Sequence, residues 1–228
     1  MSARVLDFYF DYLSPYAYFS WRAIQPLCQK YQIELRPHPV VFGKLLDHWG
    51  QLGPAEVQPK KTALYKYCYR YAVLHGFEFN PPRCHPYNPL PALRLSLSGV
   101  SGSAQNQVIT TIFEAGWSQG IDLGSADELI EKLNLAGLDG AELMALATSE
   151  EAKQELREET EQAIRQGVFG VPTFIIDDEL FWGNDQLEHL EIFLQGNDPL
   201  DSDRVDEMLA RQRGIDRKGV KIRQHQTS

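Results

Sequence analysis

The pattern of apolar and polar residues predicts that the chain begins with a strand, a helix and a second strand. Val5–Phe10 is an almost continuous run of β-branched, aromatic and apolar residues, which is typical of a buried strand. Residues 16–31 have the apolar spacing of an amphipathic helix, and Ser14 and Pro15 favour an N-cap and a first helical turn before them. Residues 33–41 are again extended, which completes a β-α-β unit.

The middle of the chain has helical periodicity instead. It recurs in five segments, which are residues 60–75, 90–99, 104–118, 125–134 and 140–167. A proline-rich stretch at 81–91 predicts a loop, and Ser125 followed by Glu128 is a capping-box pattern. We therefore expect an all-helical insertion at this place.

Strand character returns near the carboxyl end. Residues 170–177 predict a strand entered through a proline, Asp177 and Asp178 predict a turn, and Glu179–Trp182 predicts a second strand. Residues 185–194 predict a closing helix. The order β-α-β, helices, β-β-α is that of an α/β thioredoxin-like fold with a large all-helical insertion.

This order divides the chain into three parts. We expect residues 1–42 and 167–196 to form the thioredoxin-like domain and residues 43–166 to form the inserted helical domain. Residues 197–228 are a polar C-terminal extension, for which the pattern predicts a helix around 204–213.

Composition narrows the classes of function. The net charge of -9 argues against a nucleic-acid partner, which needs a basic surface. Cys28, Cys68 and Cys84 form no CxxC pair, and the histidines have no ligand spacing, so we expect neither a metal site nor a disulfide framework. No apolar run reaches the roughly 18 residues of a membrane span, and the first residues lack signal-peptide features. We expect a cytoplasmic protein with no membrane association.

Three motifs in order carry a resemblance to a known family. They are FYFDYLSPYAY at residues 8–18, GVPTF at 170–174 and WGND at 182–185. Together they resemble the 2-hydroxychromene-2-carboxylate isomerases and kappa-class glutathione transferases, a group related to the DsbA oxidoreductases. The resemblance covers residues 4–194 and implies a DsbA-like arrangement of the predicted fold.

The first motif implies that glutathione provides the reactive sulfur. Redox relatives place C-x-x-C at the start of the first helix, whereas this chain has Ser14, Pro15, Tyr16 and Ala17 there. Dithiol exchange is therefore excluded at this place. The resemblance implies that the Ser14 hydroxyl donates a hydrogen bond to a glutathione thiolate, which the helix N-terminus also stabilises. Taken alone, Ser14 is better explained as a helix N-cap, and the two roles do not exclude each other.

The other two motifs imply further contacts with glutathione. In the family, the peptide bond between Val171 and Pro172 is cis, and the Val171 backbone pairs with the cysteinyl backbone of glutathione. Asn184 and Asp185 correspond to the end that receives the γ-glutamyl group. A proline at a strand entry and an aspartate N-cap remain the structural alternatives.

Positions in the insertion are assigned from the resemblance alone. Lys61 matches a Pro-x-Lys element that contacts glutathione in kappa enzymes, although the adjacent Lys60 leaves the choice between the two lysines open. Gln51 stands where many relatives have asparagine, and the resemblance implies a similar contact with glutathione. The substrate-binding residues implied are Tyr16 of the first motif and Tyr87, Asn88 and Arg94, of which the last three lie in a region that departs from the naphthalene-pathway isomerases.

Together these features imply an enzyme. We expect a glutathione-dependent isomerase of a 2-hydroxychromene-2-carboxylate-like aromatic compound, which acts by reversible thiolate addition. Two alternatives stay open: a kappa-like glutathione transferase or peroxidase, and a non-catalytic thioredoxin-fold protein that binds thiols or peptides. The sequence leaves the oligomeric state open, with a homodimer as one option.

Overall fold

A four-stranded mixed sheet forms the centre of the molecule. The computed structural model describes residues 4–212 and 214. The strands are β1 (Val5–Phe10), β2 (Glu34–Pro39), β3 (Thr173–Ile176) and β4 (Glu179–Trp182), in the spatial order β2-β1-β3-β4. β1 runs parallel to β2 and antiparallel to β3, and β3 forms a hairpin with β4. The thioredoxin-like topology predicted from the sequence is confirmed.

Helices occupy most of the remaining chain. They are α1 (Pro15–Tyr31), α2 (Phe42–Trp49), α3 (Gln58–His75), α4 (Leu90–Leu95), α5 (Ser98–Ser101), α6 (Gln105–Trp117), α7 (Ala126–Leu135), α8 (Gly140–Ala147), α9 (Glu150–Arg165), α10 (Leu187–Leu194) and α11 (Ser202–Leu209). The segment between β2 and β3 is thus helical, as the periodicity predicts. None of the helices in the described chain is long and apolar enough to cross a membrane.

Local capping explains where the helices depart from the prediction. The single helix predicted over residues 140–167 is wrong, because the Ser149 side chain accepts a hydrogen bond from the Ala152 N–H at 3.1 Å and starts a new helix, α9. The capping box is only half formed. Ser125 accepts from the Glu128 N–H at 3.3 Å, but the Glu128 carboxylate accepts from the Asp122 N–H at 3.2 Å.

The C-terminal extension contains α11, which overlaps the helix predicted over residues 204–213. Arg213, the last residue of that prediction, lies outside the described residues, as do residues 215–228. The α11 residues are exposed.

One aromatic core joins the sheet to the helical segment. Phe10 on β1 and Tyr12 after it are fully buried against Phe113 of α6, with ring centroids 5.4 and 4.5 Å away. Phe8 packs on Trp21 of α1. Burying such a side chain contributes about 1.5–3 kcal/mol. The two predicted domains therefore share one continuous core.

Candidate functional site

Ser14 lies where β1 passes into α1. Its hydroxyl oxygen accepts a hydrogen bond from the Ala17 N–H at 3.2 Å, which makes it the N-cap of α1. The same hydroxyl donates to the Val171 carbonyl at 3.3 Å, and the residue is 7% exposed. Ser14 and Val171, which are far apart in sequence, are therefore in direct contact, and the predicted N-cap is confirmed.

Side chains from the helical segment hold the loop before Ser14. The Tyr12 carbonyl accepts hydrogen bonds from the Tyr87 hydroxyl at 2.7 Å and from Trp117 Nε1 at 2.9 Å. The Leu13 carbonyl is 2.9 Å from His85 Nε2, which must be the donor. Burial lowers the pKa of His85, and its Nδ1 is buried with no hydrogen-bond partner in the described chain, as expected for a neutral imidazole.

Asp11 ties this loop to α2. Its fully buried carboxylate accepts one hydrogen bond from the Leu13 N–H and one from the Phe42 N–H, each 2.9 Å long. Burial raises the pKa of Asp11 to about 7, although the two backbone donors oppose the rise. Because Phe42 is the first residue of α2, this carboxylate fixes α2 relative to Ser14.

Val171 and Pro172 form the opposite wall. The peptide bond between them is cis, as the resemblance implies. No acceptor in the described chain pairs with the Val171 N–H, and the carbonyl receives only the Ser14 hydroxyl. The Pro172 carbonyl accepts from the Gly183 N–H at 2.9 Å, so the WGND motif is fastened to this segment.

Asn184 and Asp185 begin a short 3-10 turn ahead of α10. Asp185 does not cap that helix, which starts two residues later without a side-chain cap, so the N-cap explanation is wrong. Asn184 is 5% exposed, and its Oδ1 accepts from the Ser20 hydroxyl at 2.9 Å. Its Nδ2 makes no hydrogen bond of normal geometry in the described structure. Burial raises the pKa of Tyr67, and the neighbouring Asn184 amide opposes that rise.

Two adjoining cavities meet at these groups. The Asp185 cavity, of about 540 Å³, has Lys60, Tyr67, Pro172, Asn184 and Asp185 in its wall. The His85 cavity, of about 490 Å³, has Ser14, Lys44, Asp47, Glu56 and His85 in its wall. Tyr16, Gln51 and Val171 line both. The structure thus brings Ser14, Tyr16, Gln51, Val171, Pro172, Asn184 and Asp185 together.

The two lysines that the sequence leaves open have different surroundings. Lys60 lines the Asp185 cavity, whereas the Lys61 ammonium donates to the His85 carbonyl at 3.0 Å and lines neither cavity. This arrangement favours Lys60 for contact with a ligand, and Lys61 for support of the segment that carries His85.

The three remaining substrate residues face elsewhere. The Tyr87 hydroxyl is used on Tyr12, and the Asn88 side-chain oxygen accepts from the Leu90 N–H at 3.2 Å at the start of α4. Burial lowers the pKa of Arg94. The charge of Arg157 lowers this pKa further, and the charge of Glu150 opposes the change. None of Tyr87, Asn88 and Arg94 lines either cavity. The cavity walls give no support to this part of the prediction.

The sequence analysis did not single out several polar wall residues, among them Lys44, Asp47 and His85. Lys44 and Asp47 are three residues apart on α2, a spacing that places them on one face. Only the packing of α2 shows that this face lines a cavity. No local signal in the sequence distinguishes His85, which lines a cavity, from a histidine in a solvent-exposed loop.

Comparisons with known proteins agree with the DsbA-like fold. Residues 5–195 match the family model of the DSBA-like thioredoxin domain. A 2-hydroxychromene-2-carboxylate isomerase from Pseudomonas putida is 32% identical over 82% of this chain and 92% of its own length. Glutathione S-transferase kappa 1 from Rattus norvegicus is 26% identical over 84% of this chain and 91% of its own. A solved structure of a 2-hydroxychromene-2-carboxylate isomerase has a TM-score of 0.77 at 25% identity, covering 91% of this chain and 100% of that one.

Proposed function

The chain belongs to the 2-hydroxychromene-2-carboxylate isomerase group of the DsbA-like thioredoxin family, and on that premise we propose that it is a glutathione-dependent isomerase of a 2-hydroxychromene-2-carboxylate-like aromatic compound. One observation carries the proposal. Ser14 at the start of α1 and Val171 beside Pro172 stand where the two cavities meet, so a sulfur held by one cavity would face a compound held by the other.

The Asp185 cavity has the donors and acceptors that glutathione needs. Val171 offers a free N–H and a carbonyl, which suit the cysteinyl backbone. The Asn184 Nδ2, which lies by Tyr67 without a hydrogen bond of normal geometry in the described chain, is a donor for the γ-glutamyl carboxylate, and Asp185 is an anion for the ammonium group. Lys60 suits the glycyl carboxylate. These residues would hold the tripeptide.

Ser14 would stabilise the charged sulfur. When bound, glutathione supplies a thiolate that adds reversibly to a conjugated carbon of the ring-opened substrate and so permits rotation about the former double bond. The Ser14 hydroxyl would turn from the Val171 carbonyl to this thiolate. The N-terminal end of the α1 dipole adds partial positive charge. Disulfide formation at this position is excluded, because Ser14 and Ala17 replace both cysteines.

The His85 cavity suits the aromatic part of the substrate. Its wall includes the apolar residues Tyr16, Leu64 and Pro86, and Ser14 also lines it. Such a wall excludes water from the reacting carbon while the rings are bound. The neutral His85 keeps the loop before Ser14 in place through its bond to Leu13.

A turnover assay tests the proposal. The protein should convert 2-hydroxychromene-2-carboxylate to its ring-opened isomer only when glutathione is present, and free glutathione should be recovered undiminished. A stable thioether product would instead indicate a transferase, the candidate that the kappa-class relative favours. Calorimetric binding of glutathione without any turnover would leave a non-catalytic binding protein.

A further inference from the structure

We infer that Lys44 is the carboxylate-recognition residue of the His85 cavity, an inference that rests on the proposed function for the identity of the substrate. The proposed substrate is an aromatic ring system that carries a carboxylate. An apolar wall can hold the rings, but the carboxylate needs a cation or several hydrogen-bond donors. The question is which side chain supplies it.

Lys44 is the single lysine or arginine among the described residues that line this cavity. Arg94, the arginine expected from the sequence, is not among the residues that line it. The Lys61 ammonium is held by the His85 carbonyl, and burial keeps His85 itself neutral. Lys60 belongs to the other cavity. Elimination within the wall therefore leaves Lys44.

The location of Lys44 fits this role. Its side chain is 70% exposed, so it lies at the open side of the cavity, where a carboxylate can remain partly hydrated while the rings are buried. The neighbouring Gly43 has no atom within 4 Å of the position where a Cβ would stand, so space is open beside it in the wall. α2 is fixed by the bond from the Phe42 N–H to Asp11.

Two carboxylates near Lys44 make its positive charge necessary for the binding of an anion in this cavity. Asp47 Oδ2 is 4.0 Å from its Nζ, and the Glu56 carboxylate, which accepts from the Gly53 N–H, is also in the wall. Lys44 opposes these two carboxylates. Without it, the wall would repel an anionic substrate in a protein whose net charge is already -9.

A binding experiment that needs no turnover tests the inference. The affinity of the protein for 2-naphthoate is compared by calorimetry with its affinity for 2-naphthamide, which has the same rings and no charge. The protein should prefer the carboxylate about tenfold, or about 1.4 kcal/mol. Lys44→Ala should abolish this preference. Asp47→Asn should increase it, because it removes a competing anion. High salt should reduce it in the unmodified protein.

Lys66→Ala is the matched control, since this exposed lysine on α3 lines neither cavity and the substitution changes net charge equally. It should keep the preference. An unchanged preference in Lys44→Ala, an equal loss in Lys66→Ala, or no binding of naphthoate to the unmodified protein would overturn the inference. If the charge preference follows this pattern but 2-hydroxychromene-2-carboxylate is not turned over, the carboxylate site stands and the proposed function fails.

Discussion

Replacing Ser14 by alanine separates the two roles of this hydroxyl. In the structure, the hydroxyl caps α1 through the Ala17 N–H at 3.2 Å and donates its proton to the Val171 carbonyl at 3.3 Å. Donation to a thiolate must therefore replace an existing bond. Because the residue is only 7% exposed, solvent does not screen the new bond strongly.

The expected effect on the bound thiol follows from this exchange. A hydrogen bond to a charged group contributes about 1.5–3 kcal/mol, and the neutral bond to Val171 that it replaces contributes about 0.5–1.5 kcal/mol. The difference of about 1–1.5 kcal/mol corresponds to a rise of about one unit in the pKa of bound glutathione when Ser14 is replaced by alanine. Turnover below that pKa should fall up to about tenfold.

The assay is a pH titration of the ultraviolet absorbance of the thiolate, with glutathione bound to each variant. Ser149→Ala is the matched control, since Ser149 caps α9 in the same way and lies outside both cavity walls. Both variants should lose about 1 kcal/mol of stability through the missing cap. Only Ser14→Ala should raise the thiol pKa. Superimposable titration curves for the unmodified protein and Ser14→Ala would refute the thiolate role.

Two further predictions concern the second motif and the pH dependence of stability. Gly183 has φ 109°, and a Cβ there would stand 2.5 Å from an Asp185 carboxylate oxygen, so Gly183→Ala should weaken glutathione binding in calorimetry. Unchanged affinity would contradict the role of Asp185. Burial alone would lower the pKa of His38, but its hydrogen bonds to Asp7 and Glu159 raise it to about 9. Because the unfolded value is about 6.5, this stabilisation is complete below pH 6.5 and is lost as the pH rises to about 9, by up to about 3 kcal/mol. Urea unfolding should show this decrease in the unmodified protein and not in His38→Gln; equal pH profiles would refute it.

Local patterns were sufficient for the elements of the thioredoxin-like sheet. The apolar run of β1, the Ser14–Pro15 helix start and the paired aspartates of the β3–β4 turn are all determined within a few residues. Asp177 and Asp178 adopt positive φ values of 51° and 66°, which aspartate tolerates better than most residues. The helix α2 was not separated from the insertion because its eight residues are too few to show a clear period.

The cavity walls depended on contacts that no local pattern reveals. Lys44 and His85 line the same cavity as Ser14 only once α2 is bound to Asp11 and His85 is bound to the Leu13 carbonyl. Tyr87 is the reverse case. Its place in the sequence pointed to substrate, whereas its hydroxyl satisfies the Tyr12 carbonyl inside the protein. Buried backbone carbonyls near this loop need hydrogen-bond donors, and a side chain that donates to one of them is no longer available for a ligand.

The hydrogen bonds from Tyr87, Trp117 and His85 to the loop before Ser14 have a consequence for how such enzymes can diverge. The helical segment is not an exchangeable module added to a finished oxidoreductase scaffold. A chimera that receives this segment from another relative would also receive a different support for the loop before Ser14. Under the proposed function, changes in substrate range and changes in thiol activation would therefore be inherited together.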